Sequence, residues 1–319
     1  MAQVNTDDGE RSNRGLAARA AWMSYVGGMT QDQIAQELGI SRQRAQRLVA
    51  RAGAEGLIRV RIDHPIAECL ELERALKSRF ALNSVRVAPN AGDSVDPSIG
   101  IATFAAPFVE RILEDVDPQV IALGTGRTLS MVVDQMQAVD GSHHKLTSLI
   151  GNVSPDGSAS FYEVIMRLAE KVNAPHYPMS VPVLARNDAE MDLYLSLPHV
   201  SAARALAKQA STAIVGVGQM GNDAPLFVDG FISAQQLSEV QALGAAGEIC
   251  SHMFDENGQM IDHPVIRQMV GLLPDVSHMR VICIGGGAKK LSAIRAALRG
   301  GLISDLVTDE ITAQALINN

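Results

Sequence analysis

The chain has 319 residues, of which 47% are hydrophobic and 19% charged, a composition typical of a globular protein long enough for two domains. No apolar run is long enough to cross a bilayer, and residues 1–10 lack an apolar signal segment, which predicts a cytoplasmic protein. The net charge of −8 argues on its own against a nucleic-acid-binding protein. The three cysteines form no CxxC pair, which argues against a structural zinc site.

The positive charge is concentrated near the N-terminus. Residues 11–62 carry a net charge of +6, whereas residues 63–319 carry −11. A local positive field is what contact with DNA phosphates requires. The segment Asp63-His64-Pro65 marks a boundary, because the residue before a proline is disfavoured in helical geometry. We therefore predict a DNA-binding domain at residues 1–63 and a second domain at residues 64–319.

The first predicted element is a helix at residues 16–25. Residues 1–13 are polar and are predicted to be disordered. Trp22, the only tryptophan, is expected in the core of the small domain, together with Tyr25. Gly27-Gly28 is expected to end the helix.

Residues 29–49 are predicted to form two short helices joined by a tight turn. Thr30 precedes Gln33 with the spacing of a capping box. Gly39 follows the last apolar residue of the first helix, where a left-handed conformation is needed. Ser41 is then the candidate cap of a second helix. The expected buried residues of the pair are Ile34, Ala35, Leu38, Ala45, Leu48 and Val49.

The solvent face of the second helix is rich in arginine and glutamine, which recognise guanine and adenine edges through paired hydrogen bonds. A solvated helical hairpin is the alternative. The combination of caps, small residues and arginines favours a DNA-binding helix-turn-helix. The predicted DNA-contacting residues are Thr30, Gln31, Ser41, Arg42, Gln43, Arg44, Gln46, Arg47 and Arg51.

Two further elements complete the N-terminal region. Residues 57–62 alternate as a strand does, with Arg59 and Arg61 outward, which predicts a wing that contacts the DNA backbone. Residues 66–80 have helical spacing. That helix either begins the second domain or couples protomers, because a helix-turn-helix that binds an inverted repeat normally works as a dimer or higher oligomer.

From residue 84 onward, predicted strands alternate with predicted helices. The strands are residues 84–89, 120–123, 146–150, 179–184, 213–218, 246–249, 280–284 and 306–308. The helices are residues 99–114, 129–137, 161–171, 200–210, 234–244, 289–299 and 310–317. This order indicates an α/β domain with a Rossmann-like parallel sheet.

Glycine-rich turns at the carboxyl ends of such strands are the candidate ligand sites. Gly124-Thr125-Gly126-Arg127-Thr128 combines glycines, hydroxyls, a helix start and an arginine that suits a phosphate. Its spacing differs from both the nucleotide P-loop and the dinucleotide motif. A plain strand-to-helix turn is the alternative.

Further candidates lie at two other strand ends. Gly285-Gly286-Gly287-Ala288-Lys289-Lys290 offers Lys289 for a phosphate or a carbonyl oxygen, and the run from Gly216 to Gly221 includes Gly218. Glu248 and His252 are candidates for contacts with sugar hydroxyls. We predict no metal, cofactor or catalytic residue, because the eight histidines show no ligand spacing and no catalytic motif is visible.

Five segments carry a family resemblance: MTQDQIAQELGISRQRAQRLV, IALGTGRTLSMVVDQM, GVGQMGNDAPLFVDGFIS, GAAGEICSHMFDENG and CIGGGAKKLSAIRAALRGGLISDLVTDEITAQALI. With these, the chain resembles a SorC/DeoR-type transcriptional regulator with a sugar-binding C-terminal domain, from about residue 17 to the end. The resemblance implies a homodimer or homotetramer that binds a DNA operator of a carbohydrate-use operon as a repressor or activator. It also implies an isomerase-like effector domain that binds a small, usually phosphorylated sugar without catalysis.

By this resemblance, the turn at residues 124–128 holds the phosphate, and Lys289 and Glu248 face the ligand. Thr125 stands where tryptophan is frequent in the family, and Glu248 where aspartate is common, so an unphosphorylated sugar or a polyol stays open. The runner-up function is a sugar-phosphate-converting enzyme with an appended DNA-binding domain. The predicted effector-binding residues are Gly124, Thr125, Gly126, Arg127, Thr128, Gly218, Glu248, Gly286, Gly287 and Lys289.

Overall fold

The structure is a computed structural model that describes residues 5–58, 66–92, 96–158 and 164–318. The chain separates into two compact units, Met1–Ile62 and Asp63–Asn319. The predicted wing arginines Arg59 and Arg61 and the boundary at residues 63–65 lie outside the described residues.

Three helices are present among the described residues of the N-terminal unit: α1 (Asn5–Tyr25), α2 (Gln31–Leu38) and α3 (Arg42–Ala54). Its buried residues are mostly alanines, which lets the helices pack closely: Ala17, Ala20, Ala21, Ile34, Ala35, Ala45, Leu48 and Ala52. Leu57 and Ile58 pack against this core without forming a strand.

Two predictions for α1 were wrong. Residues 5–13 are helical rather than disordered, because an established helix extends at the cost of fixing one residue at a time. Trp22 is 67% exposed and Tyr25 is exposed as well. Ala17 and Ala21 lie one turn apart and define the buried stripe, and Trp22 is one residue, or about 100°, further round the helix.

The described part of the C-terminal unit contains ten strands. In chain order they are β1 (Ser84–Ala88), β2 (Val120–Leu123), β3 (Lys145–Val153), β4 (His176–Pro182), β5 (Thr212–Val215), β6 (Gly218–Gln219), β7 (Gly247–Ile249), β8 (His252–Phe254), β9 (Arg280–Ile284) and β10 (Asp305–Asp309). Seven of them form one parallel sheet in the order β1-β10-β9-β5-β2-β3-β4. The predicted parallel α/β fold is therefore confirmed.

The helices of this unit cover both faces of the sheet. They are α4 (Ala67–Phe80), α5 (Pro97–Leu113), α6 (Arg127–Gln135), α7 (Val164–Val172), α8 (Asp188–Ser196), α9 (Pro198–Ala207), α10 (Pro225–Val228), α11 (Ala234–Ala242), α12 (Pro264–Arg267), α13 (Leu291–Arg299) and α14 (Glu310–Asn318). Along β9, Val281 and Cys283 belong to one hydrophobic cluster, and Ile282 and Ile284 to the other. This alternation is expected of a strand buried on both sides.

The chain between β5 and β9, residues 216–279, forms an insertion that we call the cap. It contains α10, α11, α12 and the antiparallel ribbon β6-β7-β8. One buried cluster lies mostly in the cap, and Ile150 and Val183 join it from outside the cap. Its cap residues include Met220, Ala224, Leu226, Ile232, Leu237, Val240 and Met253. The prediction of one strand at residues 213–218 was therefore wrong, because the chain leaves the main sheet after Val215. No helix in the described part of the chain is long and apolar enough to span a membrane.

Candidate functional site

The turn between α2 and α3 has the capping geometry that its residues predict. The Thr30 hydroxyl oxygen accepts a hydrogen bond from the Gln33 N–H at 3.4 Å, and Gln33 Oε1 accepts one from the Thr30 N–H at 2.8 Å. Gly39 ends α2 in the left-handed region with φ 63°. Ser41 Oγ accepts from the Arg44 N–H at 3.3 Å. The capping box, the glycine corner and the second cap are confirmed.

The outer side of α3 presents a polar and basic surface. Its exposed side chains are Arg42, Gln43, Arg44, Gln46 and Arg47. Arg42 lies 3.5 Å from the Asp32 carboxylate, an exposed ion pair that a DNA phosphate can replace at little cost. Which of these residues contact DNA stays a prediction.

Arg51 is placed differently from the other arginines of α3. Its Nε donates to Glu55 Oε1 one turn later, and Arg14 lies 3.8 Å from the same carboxylate. Glu55 therefore links the end of α3 to α1. Contact of Arg51 with DNA stays a prediction.

Three glycine-rich turns meet at the carboxyl edge of the main sheet, as their positions after β2, β5 and β9 predict. Those strands are neighbours in the order β9-β5-β2. The Gly124 N–H donates to Ile214 O at 2.9 Å, and Gly216 packs beside the Thr125 carbonyl. Parallel strands converge in this way on a shared ligand edge.

The helix that follows β2 begins without a side-chain cap. Gly126 precedes α6 with φ 125°, and no side chain in the described part of the chain caps that end. The first N–H groups of a helix lack intrahelical acceptors and carry a partial positive charge. The start of α6 is therefore an anion-binding geometry at the edge where the glycine turns meet.

The glycines after β9 serve packing. A Cβ on Gly286 would lie 2.1 Å from Asp309 Oδ2, and the Gly287 N–H donates to that oxygen at 3.0 Å and to Thr312 Oγ1 at 2.8 Å. The Thr312 hydroxyl itself donates to Asp309 at 2.6 Å. Gly286 therefore leaves room for the buried Asp309 carboxylate, and contact of Gly286 and Gly287 with a ligand stays a prediction.

The two lysines after β9 point in different directions, and Lys290 rather than Lys289 lies beside the start of α6. The side chain of Lys289 is 78% exposed and pairs with Asp223 at the rim. Lys290 is half-buried, and its Nζ donates to Thr128 Oγ1 at 3.3 Å. Burial lowers the pKa of Lys290, whereas the nearby Cys283 and Glu248 side chains oppose that shift.

Glu248 reaches the same region from the cap. It pairs with Gly218 across the ribbon, and a Cβ on Gly218 would lie 2.1 Å from Glu248 Oε1, so only glycine leaves room for this carboxylate. Glu248 Oε2 accepts from the Ser251 N–H at 2.8 Å. Burial raises the pKa of Glu248, while the hydrogen bond from Ser251 and the charge of Lys290 oppose the shift.

Arg127 lies at the first position of α6 and also contacts the cap. Its Nη2 donates to Asp229 Oδ1 at 2.9 Å. Arg127, which the sequence predicts to bind a phosphate, is therefore paired with a carboxylate in this structure. The residues that sequence reasoning missed are Lys290, Asp223, Asp229, Ser251 and Asp309.

Comparison with known proteins agrees with this arrangement. Residues 64–318 match the family model described as "Putative sugar-binding domain", and residues 20–65 match the MarR family. The erythritol catabolism regulatory protein EryD of Brucella abortus is 36% identical over 303 residues, which cover 95% of this chain and 96% of that protein. The chain belongs to the SorC/DeoR-type transcriptional regulators.

Other members of this family match over similar lengths. The transcriptional regulator LsrR of an Enterobacter species is 30% identical over a region that covers 95% of this chain and 92% of LsrR. The full-length sorbitol operon regulator SorC of Klebsiella pneumoniae has a TM-score of 0.71 and 27% identity, covering 95% of this chain and 98% of its own. These relatives are named as regulators, in agreement with the helix-turn-helix and the sugar-binding fold.

In this SorC/DeoR-type regulator, His252 faces the backbone: its Nδ1 lies 3.0 Å from the Cys250 carbonyl oxygen. Burial lowers the pKa of His252, which favours the neutral imidazole. Whether His252 contacts a sugar hydroxyl stays a prediction. Within the described ranges, no three His, Cys, Asp or Glu side chains are grouped to hold a metal ion.

Two open depressions lie at the opposite, amino edge of the sheet of this regulator. One has a volume of about 500 Å³ and the other about 380 Å³, and both are lined by Arg280. Arg280 donates to Asp305 Oδ1 through Nε at 3.0 Å and Nη2 at 2.7 Å. Ligands of parallel sheets bind at the carboxyl ends of the strands, so the candidate effector site is the edge with Lys290.

Glu248→Gln is expected to raise the melting temperature relative to wild type more at about pH 7.5 than at about pH 5. Burial raises the pKa of Glu248 in the folded protein. The protonated Glu248 side chain therefore contributes its full stability below the pKa of the unfolded chain, and this contribution is lost as pH rises through the pKa of the folded protein. Glutamine does not titrate. Thermal melts at both pH values test this, with the exposed Glu256→Gln as control, and an equal shift at both pH values would contradict it.

Proposed function

We propose that this SorC/DeoR-type regulator binds operator DNA through α2 and α3. Its affinity for the operator changes when a small carbohydrate binds at the carboxyl edge of its sheet. The observation that carries the effector assignment is the placement of Lys290 beside Thr128, at the uncapped start of α6. A half-buried cation next to a helix N-terminus is suited to a phosphate.

The effector that we propose is a phosphorylated small polyol or sugar. The phosphate would be held by the α6 N-terminus, Thr128 and Lys290. Glu248, from the cap, would accept hydrogen bonds from hydroxyl groups of the carbon chain. EryD is named for erythritol catabolism, which supports a short polyol skeleton. A neutral polyol is the competing outcome, and the experiment below separates the two.

The enzyme alternative gains no support from Lys289. Asp223 is the carboxylate beside Lys289, but both side chains are exposed and form an ion pair at the rim, which is a poor arrangement for proton abstraction. We therefore infer an effector site without catalysis. We further infer a cytoplasmic homodimer or homotetramer, because an inverted-repeat operator requires paired recognition helices.

Replacing Arg47 by alanine is expected to weaken operator binding by about 1–3 kcal/mol if the guanidinium contacts a base edge. Arg47 is exposed on the outer side of α3 and contacts only the Gln43 carbonyl, at 3.4 Å, among its described hydrogen bonds. Fluorescence anisotropy at fixed salt on operator and scrambled DNA measures the effect. Arg19→Ala, on the exposed side of α1, is the matched control. An equal loss on both DNAs would mean that Arg47 contacts phosphate only.

The function itself is tested by titrating the protein onto DNA upstream of its own gene, at fixed near-physiological salt. The titration is repeated with erythritol, other polyols, free sugars and their phosphates. The expected result is a specific complex whose affinity is changed by a phosphorylated compound. A response to a neutral polyol alone would replace the phosphate assignment, and the absence of any specific complex would refute the regulator proposal.

A further inference from the structure

One short segment of the cap carries two carboxylates that bind cations on both sides of the candidate effector site. Asp223 pairs with Lys289, and Asp229 pairs with Arg127 at 2.9 Å. We call residues 219–230, which include both carboxylates and α10, the strap. Lys289 follows β9 and Arg127 follows β2, while β5 lies between those strands. The strap therefore spans the carboxyl end of β5, over about two strand spacings, or roughly 10 Å.

The strap is held in shape by bonds of its own. The Gln219 side-chain amide donates to the Asp223 carbonyl at 2.9 Å and to its carboxylate at 3.0 Å. Gln241 Nε2 donates to Met220 O at 2.9 Å, and Leu226 is buried in the cap cluster. The strap is thus ordered by contacts within the cap, and its two ion pairs are polar contacts between the strap and the sheet turns.

The cations that these carboxylates hold lie at the starts of the two elements that face the site. Arg127 is the first residue of α6, and Lys289 lies in the short 3-10 turn before α13. An effector anion at the α6 N-terminus would require the side chains of Arg127 and Lys289. Arg127 cannot form a bidentate pair with a carboxylate and with a phosphate at the same time. The Lys289 ammonium also lowers the pKa of Asp223, so that carboxyl remains anionic at neutral pH.

We propose that Asp223 and Asp229 are built-in competitors of the effector anion: they latch the strap to the sheet turns in the free protein and are displaced when the anion binds. This inference rests on the proposed anionic effector. Exposed ion pairs contribute little to stability, so a bound anion can displace them. A neutral polyol does not compete for the cations and would leave the strap latched. The displaced strap is then the part of the cap that differs between the free and the bound protein.

The test uses Asp223→Asn, Asp229→Asn and the double variant in the full chain, titrated calorimetrically at constant ionic strength. The anionic probes are inorganic phosphate and erythrose 4-phosphate, and the neutral probe is erythritol. Each single variant is expected to bind the anionic probes about 2- to 5-fold more tightly, as the loss of a competing exposed ion pair predicts, with no change for erythritol. Asp262→Asn is the matched control, because Asp262 pairs with Arg267 within the cap.

Hydrogen–deuterium exchange gives an independent measurement. Residues 219–230 are expected to exchange faster in the double variant, and in the wild type when phosphate is added, while the strands of the main sheet remain protected. Unchanged or weaker anion binding by the variants would overturn the latch and leave the proposed effector class intact. A wild-type protein that binds neither anionic probe would refute the anionic effector and the latch together.

Discussion

Replacing Lys290 by glutamine is expected to weaken binding of a phosphorylated effector by about 1.5–3 kcal/mol, which is about a 10- to 150-fold loss of affinity. Lys290 is half-buried, and its Nζ reaches Thr128 at the start of α6. A cation in such surroundings contributes more to anion binding than an exposed one, because less solvent screens it. Operator binding without effector is expected to stay at the wild-type level, which anisotropy on the operator measures.

The matched control is Lys208→Gln, which removes one positive charge from the exposed end of α9. It should leave effector affinity unchanged. Lys290→Arg keeps the charge but alters its geometry, and is expected to retain part of the affinity. If Lys290→Gln responded to the effector at wild-type concentrations, the carboxyl-edge site would have to be assigned to other residues.

Replacing Gly258 by alanine is expected to lower the free energy of unfolding by about 3–5 kcal/mol. Gly258 has φ +76°, and a Cβ there would lie 2.4 Å from Gly300 Cα and 2.7 Å from the Ala296 carbonyl oxygen. Both neighbours are backbone atoms at the end of α13, so neither can move as a flexible side chain would. The strain and the overlap therefore add. Urea denaturation of the C-terminal unit measures the loss.

Gly301→Ala separates these two causes. Gly301 also has a positive φ, +62°, but nothing lies within 4 Å of its added Cβ. Its substitution should cost only the backbone strain, about 1 kcal/mol. Equal destabilisation by the two substitutions would show that the backbone at residue 300 leaves room for a methyl group at residue 258.

The features that sequence reasoning predicted correctly depend on residues close together in the chain. The caps at Thr30 and Ser41 and the corner at Gly39 are local, so spacing alone indicates them. The apolar runs of β2, β5 and β9 predict a parallel sheet, and its topology brings the glycine turns to one edge. The arrangement of the main sheet was therefore accessible without coordinates.

The features that were missed depend on contacts between distant segments. Lys289 and Lys290 are adjacent, and their order alone does not reveal which one faces the site. Gly286 suggested room for a ligand, whereas residue 309 fills that space from a strand more than twenty residues later. Trp22 was predicted to be buried because of its large apolar side chain, whereas the small alanines of α1 form the buried stripe. In each instance the local sequence allowed more than one placement of the side chain, and tertiary packing determined which one the protein adopts.

The cap enters and leaves the main sheet between two neighbouring strands, β5 and β9. Glu248, Asp223 and Asp229 thus all reach the candidate site on one continuous piece of chain, while Lys290 and Thr128 belong to the sheet turns. Substitutions within residues 216–279 can therefore change the acidic groups at the candidate site without altering the sheet turns that carry Lys290 and Thr128.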